Sequence, residues 1–528
     1  MVQGWTIDMP ASASIPASIE LCAGAASGVG PLHDGACRVG GLEFRIAVSQ
    51  SGAGLHIDWS MHNRTTATVA VDEVRIRFSE LRPGRVVDRG WTTSSPVRPA
   101  ASDDLVLPVV VARDHADTAR AGRVVLSHQL LVHDGGVLGF MDGRNELALI
   151  ETPSDRSSGP GTAAVLLLDG CELDPGAHRT LSALWIATGD PDLLVTEFHD
   201  AWGCQSKARR AARTPLGWWA NPALTPAAMR VGIELAAAAG LHHTVVDATA
   251  AGVRELPHQL RAAGMRPSLR LRPFSLGPWG PLAAHAVEQS PGRPLVVDAS
   301  LVADLTDPMV LDQLTNRFRD LAAAGWEQFV LEGVWLGALA GRRRLGRTHT
   351  RAQALSLGLA AIRAGAGHDA VIVVADAPVG PAVGVADRAI SGILDLAGQA
   401  TVLHRAVEHR RLWANGCAAL DLRPAPGPGD GSAHGPAIGG GAASIRSRVD
   451  LAAATGACTW VGGDLRAYDE VSWALVAYLL DLGGALDTPS LVEGATSELP
   501  TVVIDAVGMR SRPLVATAAA PLLSLAPR

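Results

Sequence analysis

Over roughly its first two hundred residues the chain alternates apolar and polar positions in short runs, each broken by Gly, Asn or Ser. The stretch LEFRIAVSQSGAGLHIDWSMHNRTTATVAVDEVRIRF shows the pattern, and TAAVLLLDGCELDPGAHRTLSALWIAT continues it. A period of two with turn residues between the runs predicts an antiparallel β-sandwich. After Arg213 the texture changes to brief apolar runs separated by long Ala/Leu/Arg-rich segments. The strand candidates are LGWW, HHTVVDAT, RPSLRLRPF, QFVLEGV, AVIVVADAP, AISGILD, CAALDLR and CTWVGGD, with helical stretches such as DPMVLDQLTNRFRDLAAAG and TRAQALSLGLAAIRAGAG between them. Eight strands alternating with helices predict a (β/α)8 barrel. A doubly wound sheet is the rival, but it rarely needs eight repeats, and no glycine-rich phosphate fingerprint follows a strand.

These patterns divide the chain into an N-terminal β-sandwich over 1–212, a (β/α)8 barrel over 213–486 and a short C-terminal β segment over 487–528. Within the barrel, the Pro/Gly-rich stretch 423–444 reads as a loop after the seventh strand.

Composition narrows the function classes. The chain has 528 residues, 48% of them hydrophobic and 18% charged, as expected of a globular protein with more than one core. A net charge of -7 leaves no basic stripe for a nucleic acid. Lys207 is the one lysine, so arginine carries nearly all the positive charge. The six cysteines lie far apart without a C-x-x-C pair, which argues against zinc, a redox dithiol or a disulfide framework. No signal peptide and no uninterrupted apolar span of membrane length is visible, so the expectation is a cytoplasmic protein without a membrane partner.

Barrel enzymes place their chemistry at the C-terminal ends of the strands. Asp247, Glu332, Asp376, Asp395 and Asp464 stand at or near those ends, with Asp421 inside its strand. Carboxylates converging on one mouth, without metal-ligand spacing, fit glycoside hydrolysis, in which one attacks the anomeric carbon and another protonates the leaving oxygen. That chemistry needs no cofactor and no metal. The competing reading of each acid is a cap on the backbone that follows it.

The segment from Gly217 to about Leu482 resembles the α-galactosidases of glycoside hydrolase family 36, the melibiase-like barrels. The likeness is carried by RTHTRAQALSLGLAAIRAGAGHDAVIVVADAPVGPAVGVADRAIS, and by DLTDPMV, HRRLWANG and VGGDLRAYD in the same order and spacing as the family's segments. RGWTTSS in the β-rich part resembles the family's G-x-Q-S-W. The resemblance implies a β-supersandwich, a (β/α)8 barrel and a C-terminal β domain. It also implies a retaining mechanism and an α-galactoside or related glycan as partner. A homo-oligomer is compatible with it.

Carried across residue by residue, the functional positions are altered. The family's K-x-D nucleophile motif becomes Val330 and Glu332, and the sugar-gripping D-D-G-W becomes Asp247, Ala248, Thr249 and Ala250. Losing the Lys removes a positive charge that would hold the carboxylate ionised. Arg270 stands for the Trp of G-L-W, Trp218 keeps the first Trp of G-W-x-S-W, and Asn415 keeps the Asn of N-D-P-D. Asp376 stands where the family has Gly. The acid/base position falls on Ile393 without a gap, with Asp395 two residues on and on the same face of an extended strand. Glutamate is a competent nucleophile, but its extra methylene moves the carboxylate by about 1.5 Å, and a shift of about 1 Å can cost around a hundredfold.

Two readings follow. The first is a hydrolase with Glu332 as nucleophile and Asp395 as acid, with Asp247, Trp218, Arg270, Trp335, Asp376 and Asn415 lining the sugar site. The second is a non-catalytic barrel that binds a glycan or a protein through the same mouth. A mouth filled by Trp335 or Arg270 would favour the second.

Overall fold

The computed structural model describes residues 5–8, 14–23, 26–31, 36–78, 87–88, 98–99, 124–133, 135–153, 162–209, 216–277, 282–390, 405, 412–416, 419–420, 422–423, 445, 449, 460–482, 490–493 and 501–503. Its N-terminal part is an antiparallel sandwich. One sheet runs in the order Trp5–Asp8, Ser14–Ala23, Val69–Phe78, Thr162–Leu173, Leu147–Pro153 and Val124–His128, with Ala26–Pro31 paired on Ser14–Ala23. The other runs Leu130–His133, Gly136–Phe140, Leu184–Thr188, Gly54–Asn63, Leu42–Ser51 and Ala36–Val39, with His178–Thr180 paired on Gly54–Asn63. The alternating apolar positions read from the sequence meet between the sheets, where Phe44, Trp59, Phe78 and Phe140 are fully buried.

The barrel strands are Gly217–Ala220 (β1), His243–Asp247 (β2), Arg266–Leu271 (β3), Gln328–Leu331 (β4), Val371–Val374 (β5), Arg388–Ile390 (β6), Ala414–Gly416 (β7) and Trp460–Gly463 (β8). They form one parallel sheet in the order β7-β6-β5-β4-β3-β2-β1-β8. A parallel bridge between Leu420 and Val461 joins its two ends. The (β/α)8 expectation therefore holds. The seventh strand begins three residues earlier than CAALDLR placed it, at Ala414, and Leu420 from that stretch makes the closing contact instead.

Three helices show why the sequence folds as it does around these strands. Pro226–Ala238 (α1) starts at a Thr225 cap with proline in its first turn, and Pro308–Ala323 (α2) does the same from Asp307. Arg351–Ala366 (α3) opens with a capping box between Thr350 and Gln353. Near its C-terminal end the chain forms a two-stranded antiparallel pair, Ser490–Glu493 with Thr501–Val503. Among the described residues no helix is long and apolar enough to cross a membrane.

Sandwich and barrel are joined through the start of α3. The Arg351 backbone N–H donates to Asp169 at 2.8 Å and its Nε to the same carboxylate at 2.7 Å. Arg179 donates to Glu146 at 3.1 Å and to Gln353 at 3.0 Å. Nearby, Gly143 and Gly380 approach so closely that a Cβ on Gly380 would lie 2.5 Å from the Cα of Gly143. That contact tolerates no side chain at either position.

Candidate active site at the barrel mouth

Successive residues of a strand face opposite sides of the barrel wall. Along β1 to β5, Trp218, Leu269, Phe329, Leu331, Ile372 and Val374 face outward and pack in the large core shared with the helices. Val245, Val330, Val373, Ile390 and Trp460 face inward and form a separate apolar cluster, with Trp219 against it. The same phase carries Asp247, Arg270 and Glu332 to the inner side, at the C-terminal ends of β2, β3 and β4.

These three side chains form one network. Arg270 Nη2 donates to Glu332 Oε2 at 2.7 Å, and Arg270 Nη1 lies 3.5 Å from Asp247 Oδ2. The guanidinium sits over the Trp219 ring, 5.5 Å from its centroid. Asp247 and Glu332 side chains are each 20% exposed and Arg270 27%, so the group is open to a ligand yet shielded from bulk solvent. Asp247 also accepts from the Thr249 N–H at 2.9 Å and its hydroxyl at 2.6 Å, which fixes the carboxylate's orientation.

The sequence resemblance sets Val330, which carries no charge, where a lysine is expected two residues before Glu332. Val330 is indeed buried and apolar, in the floor beneath Glu332. The positive charge is supplied instead by Arg270 from the neighbouring strand. A planar fork with several donors can hold two carboxylates at once, which a single ammonium does less well.

The other predicted residues fall in different places. Trp218 is not at the mouth. It is fully buried on the outer face, its ring packed over Gly232 of α1 and its indole N–H donating to the Gly463 carbonyl at 2.9 Å. The reason is strand phase: in a Trp-Trp pair only one ring can face inward, and Trp219 is the one that does. Asp376, just after β5, turns both oxygens to the backbone, accepting from the Gly333 and Val334 N–H groups at 2.9 Å each. Burial pushes its carboxyl above the usual carboxylate range, those two bonds pull it back, and the charge of Glu332 raises it again. Trp335 is half-buried against the outer core from the short 3-10 helix Val334–Ala338. Asp464 follows β8 and is held by Arg466 at 2.6 Å while accepting from its N–H, so it acts as a cap. Asn415 lies in β7, in register with Ala389. Asp395 and Asp421 lie outside the described residues.

Below the floor the barrel interior turns polar again. His243 is fully buried, its ring over Gly217 and edge-on to Trp460. Burial, reinforced by the charge of Arg388, pushes its pKa down to about 3, so the ring is neutral at ordinary pH. Motif position does not single out Trp219 or His243; strand phase is the signal that finds them.

No protein-family model matches the chain, and no curated protein matches it in sequence. Solved structures do match. The α-galactosidase TtGalA of Thermus thermophilus in complex with stachyose superposes with a TM-score of 0.60 at 16% identity, over 88% of this chain and 99% of that one. The family 36 α-galactosidase AgaA of Geobacillus stearothermophilus superposes with a TM-score of 0.61 at 12% identity, over 96% of this chain and 75% of that one. A single-substitution variant of that enzyme in complex with 1-deoxygalactonojirimycin gives 0.61 at 12% identity, over 91% and 77%. At such identities the shared property is the fold. The chain has the fold of the glycoside hydrolase family 36 α-galactosidases.

Proposed function

We propose that the barrel mouth binds an α-galactoside or related glycan and that Glu332 is the carboxylate presented to its anomeric carbon, as in a retaining hydrolase. The observation that carries this reading is the 2.7 Å bond from Arg270 to Glu332 at the end of β4. It orients the carboxylate and sets a cation beside it where the altered motif lacks the usual one. In the first step a Glu332 oxygen attacks C1 and the glycosidic C–O bond breaks, the departing oxygen taking a proton from a carboxylic acid. In the second, water attacks C1 of the glycosyl ester, returning its proton to that acid and freeing Glu332. Asp395 is the proposed acid. Trp219 and Asp247 complete the ring-binding surface. In this reading the protein is cytoplasmic, with residues 1–212 and 487–528 flanking the barrel.

A second reading is favoured by Arg270 itself. Its guanidinium covers the Trp219 ring and ties two acids together, so a sugar must share or displace it. A glycan-binding barrel without turnover would have this mouth.

Hydrolysis of a panel of aryl glycosides, led by aryl α-galactoside, separates the two. On the first reading wild type turns over, and Glu332→Ala loses at least about a hundredfold. No turnover by folded protein, with glycan binding that Arg270→Ala changes, establishes the second.

A further inference from the structure

Three consecutive backbone N–H groups around Glu332 are tied down. That of Glu332 donates to the Leu271 carbonyl of β3 at 3.0 Å, and those of Gly333 and Val334 donate to the two oxygens of Asp376. Gly333 is in the left-handed region with φ 63°, so the chain leaves β4 by a sharp turn just after Glu332. A Cβ there would stand 3.2 Å from Leu336 Cδ1. Asp376 is partly buried, just past the strand next to β4, and both of its oxygens are given to these backbone groups.

Desolvating a carboxylate beside another carboxylate is costly, and a cap on an exposed loop would not need one. Its bonds serve the two residues that follow Glu332. Glu332 has one more rotatable bond than an aspartate, so its carboxylate keeps one place only where the backbone beneath it and the Arg270 partner at its tip are both fixed. From the paired N–H bonds and the glycine turn, we infer that Asp376 is a positioning residue for Glu332: it clamps the Gly333–Val334 turn so that the Glu332 carboxylate meets Arg270. This inference rests on the reading of Glu332 as the reacting carboxylate, although the clamp itself can be measured without turnover.

The test compares wild type, Glu332→Ala, Asp376→Asn and Gly333→Ala. Asn keeps one acceptor but turns an N–H toward a backbone N–H, so it breaks one of the two bonds without changing shape. Carboxylates are labelled with carbodiimide and glycine ethyl ester and read by mass spectrometry, after thermal unfolding has shown each variant folded. With the clamp broken, Glu332 loses a charge-assisted hydrogen bond and labels about tenfold faster than in wild type. In turnover, Asp376→Asn lowers kcat by about 10- to 100-fold with KM unchanged, a split that general loosening of the fold would not give. If Asp376→Asn does not fold, Gly333→Ala carries the same measurement, since it displaces the turn and leaves Asp376 in place. Unchanged Glu332 labelling in a folded variant overturns the inference. Turnover that survives Glu332→Ala overturns the functional reading instead, and the labelling result still decides the clamp.

Discussion

Trp218 and Trp219 are neighbours in one strand and belong to two different regions. Trp218 joins the outer face of the barrel wall, where the packed strand residues, Thr244 apart, are apolar and nearly solvent-free. Trp219 joins the inner face, where an apolar floor separates a charged mouth from a polar interior. The outer face is interchangeable hydrophobic packing that any (β/α)8 barrel requires. The inner face pairs acids with Arg270 at partial exposure, an arrangement that does nothing for packing. The two faces of one wall thus carry different loads, packing outside and charge inside.

The largest effect that would break this comparison is on stability. Trp218→Ala leaves a large cavity against α1 and should cost about 3–5 kcal/mol in chemical denaturation, while glycan binding by the folded fraction stays as in wild type. A small loss, or a lost ligand, would mean the outer face is not the scaffold.

His243 gives the next effect. Its folded pKa of about 3 lies below the 6.5 of an exposed imidazole, so the unfolded state takes up a proton first as pH falls. The stability this implies is complete above pH 6.5 and is lost progressively down to about 3. Between pH 6.5 and 5 wild type should lose about 2 kcal/mol more than His243→Leu. Unfolding curves at the two pH values that fall in parallel would show the ring is not buried neutral.

The smallest change in stability, with the sharpest functional consequence, is expected for Trp219→Ala. Half-buried, it should cost about 1–2 kcal/mol, yet weaken glycan binding by about tenfold or more through loss of the ring and of the surface under Arg270. Calorimetric titration against Trp218→Ala makes the contrast direct.

Much of this is legible in the sequence. The period-two runs predict the sandwich, and the alternation of apolar runs with Ala-rich helices predicts the barrel, because both depend on patterns repeated over many residues. Glu332, Asp247 and Arg270 each read as mouth residues. Their connection is not legible, since Arg270 reaches Glu332 only through the parallel register of β3 with β4. Trp218 stands out over Trp219 in the sequence because a motif match ignores which way a side chain points. Asp376 reads as a sugar contact, although its partners are backbone groups, which a sequence does not advertise. The seventh strand starts at Ala414 because its register is set by pairing with Arg388–Ile390, which a single sequence does not show.

The contact of Gly143 with Gly380 bears on how this protein can be inherited and handled. Two backbones that touch without side chains leave no room for a linker, an altered angle or a replacement neighbour. The barrel therefore is not a cassette to be recombined onto another β domain, and excising it for expression would bare the start of α3 that Asp169 and Arg179 now cover. Mouth residues can be exchanged one at a time, but the two halves of this molecule must be inherited together.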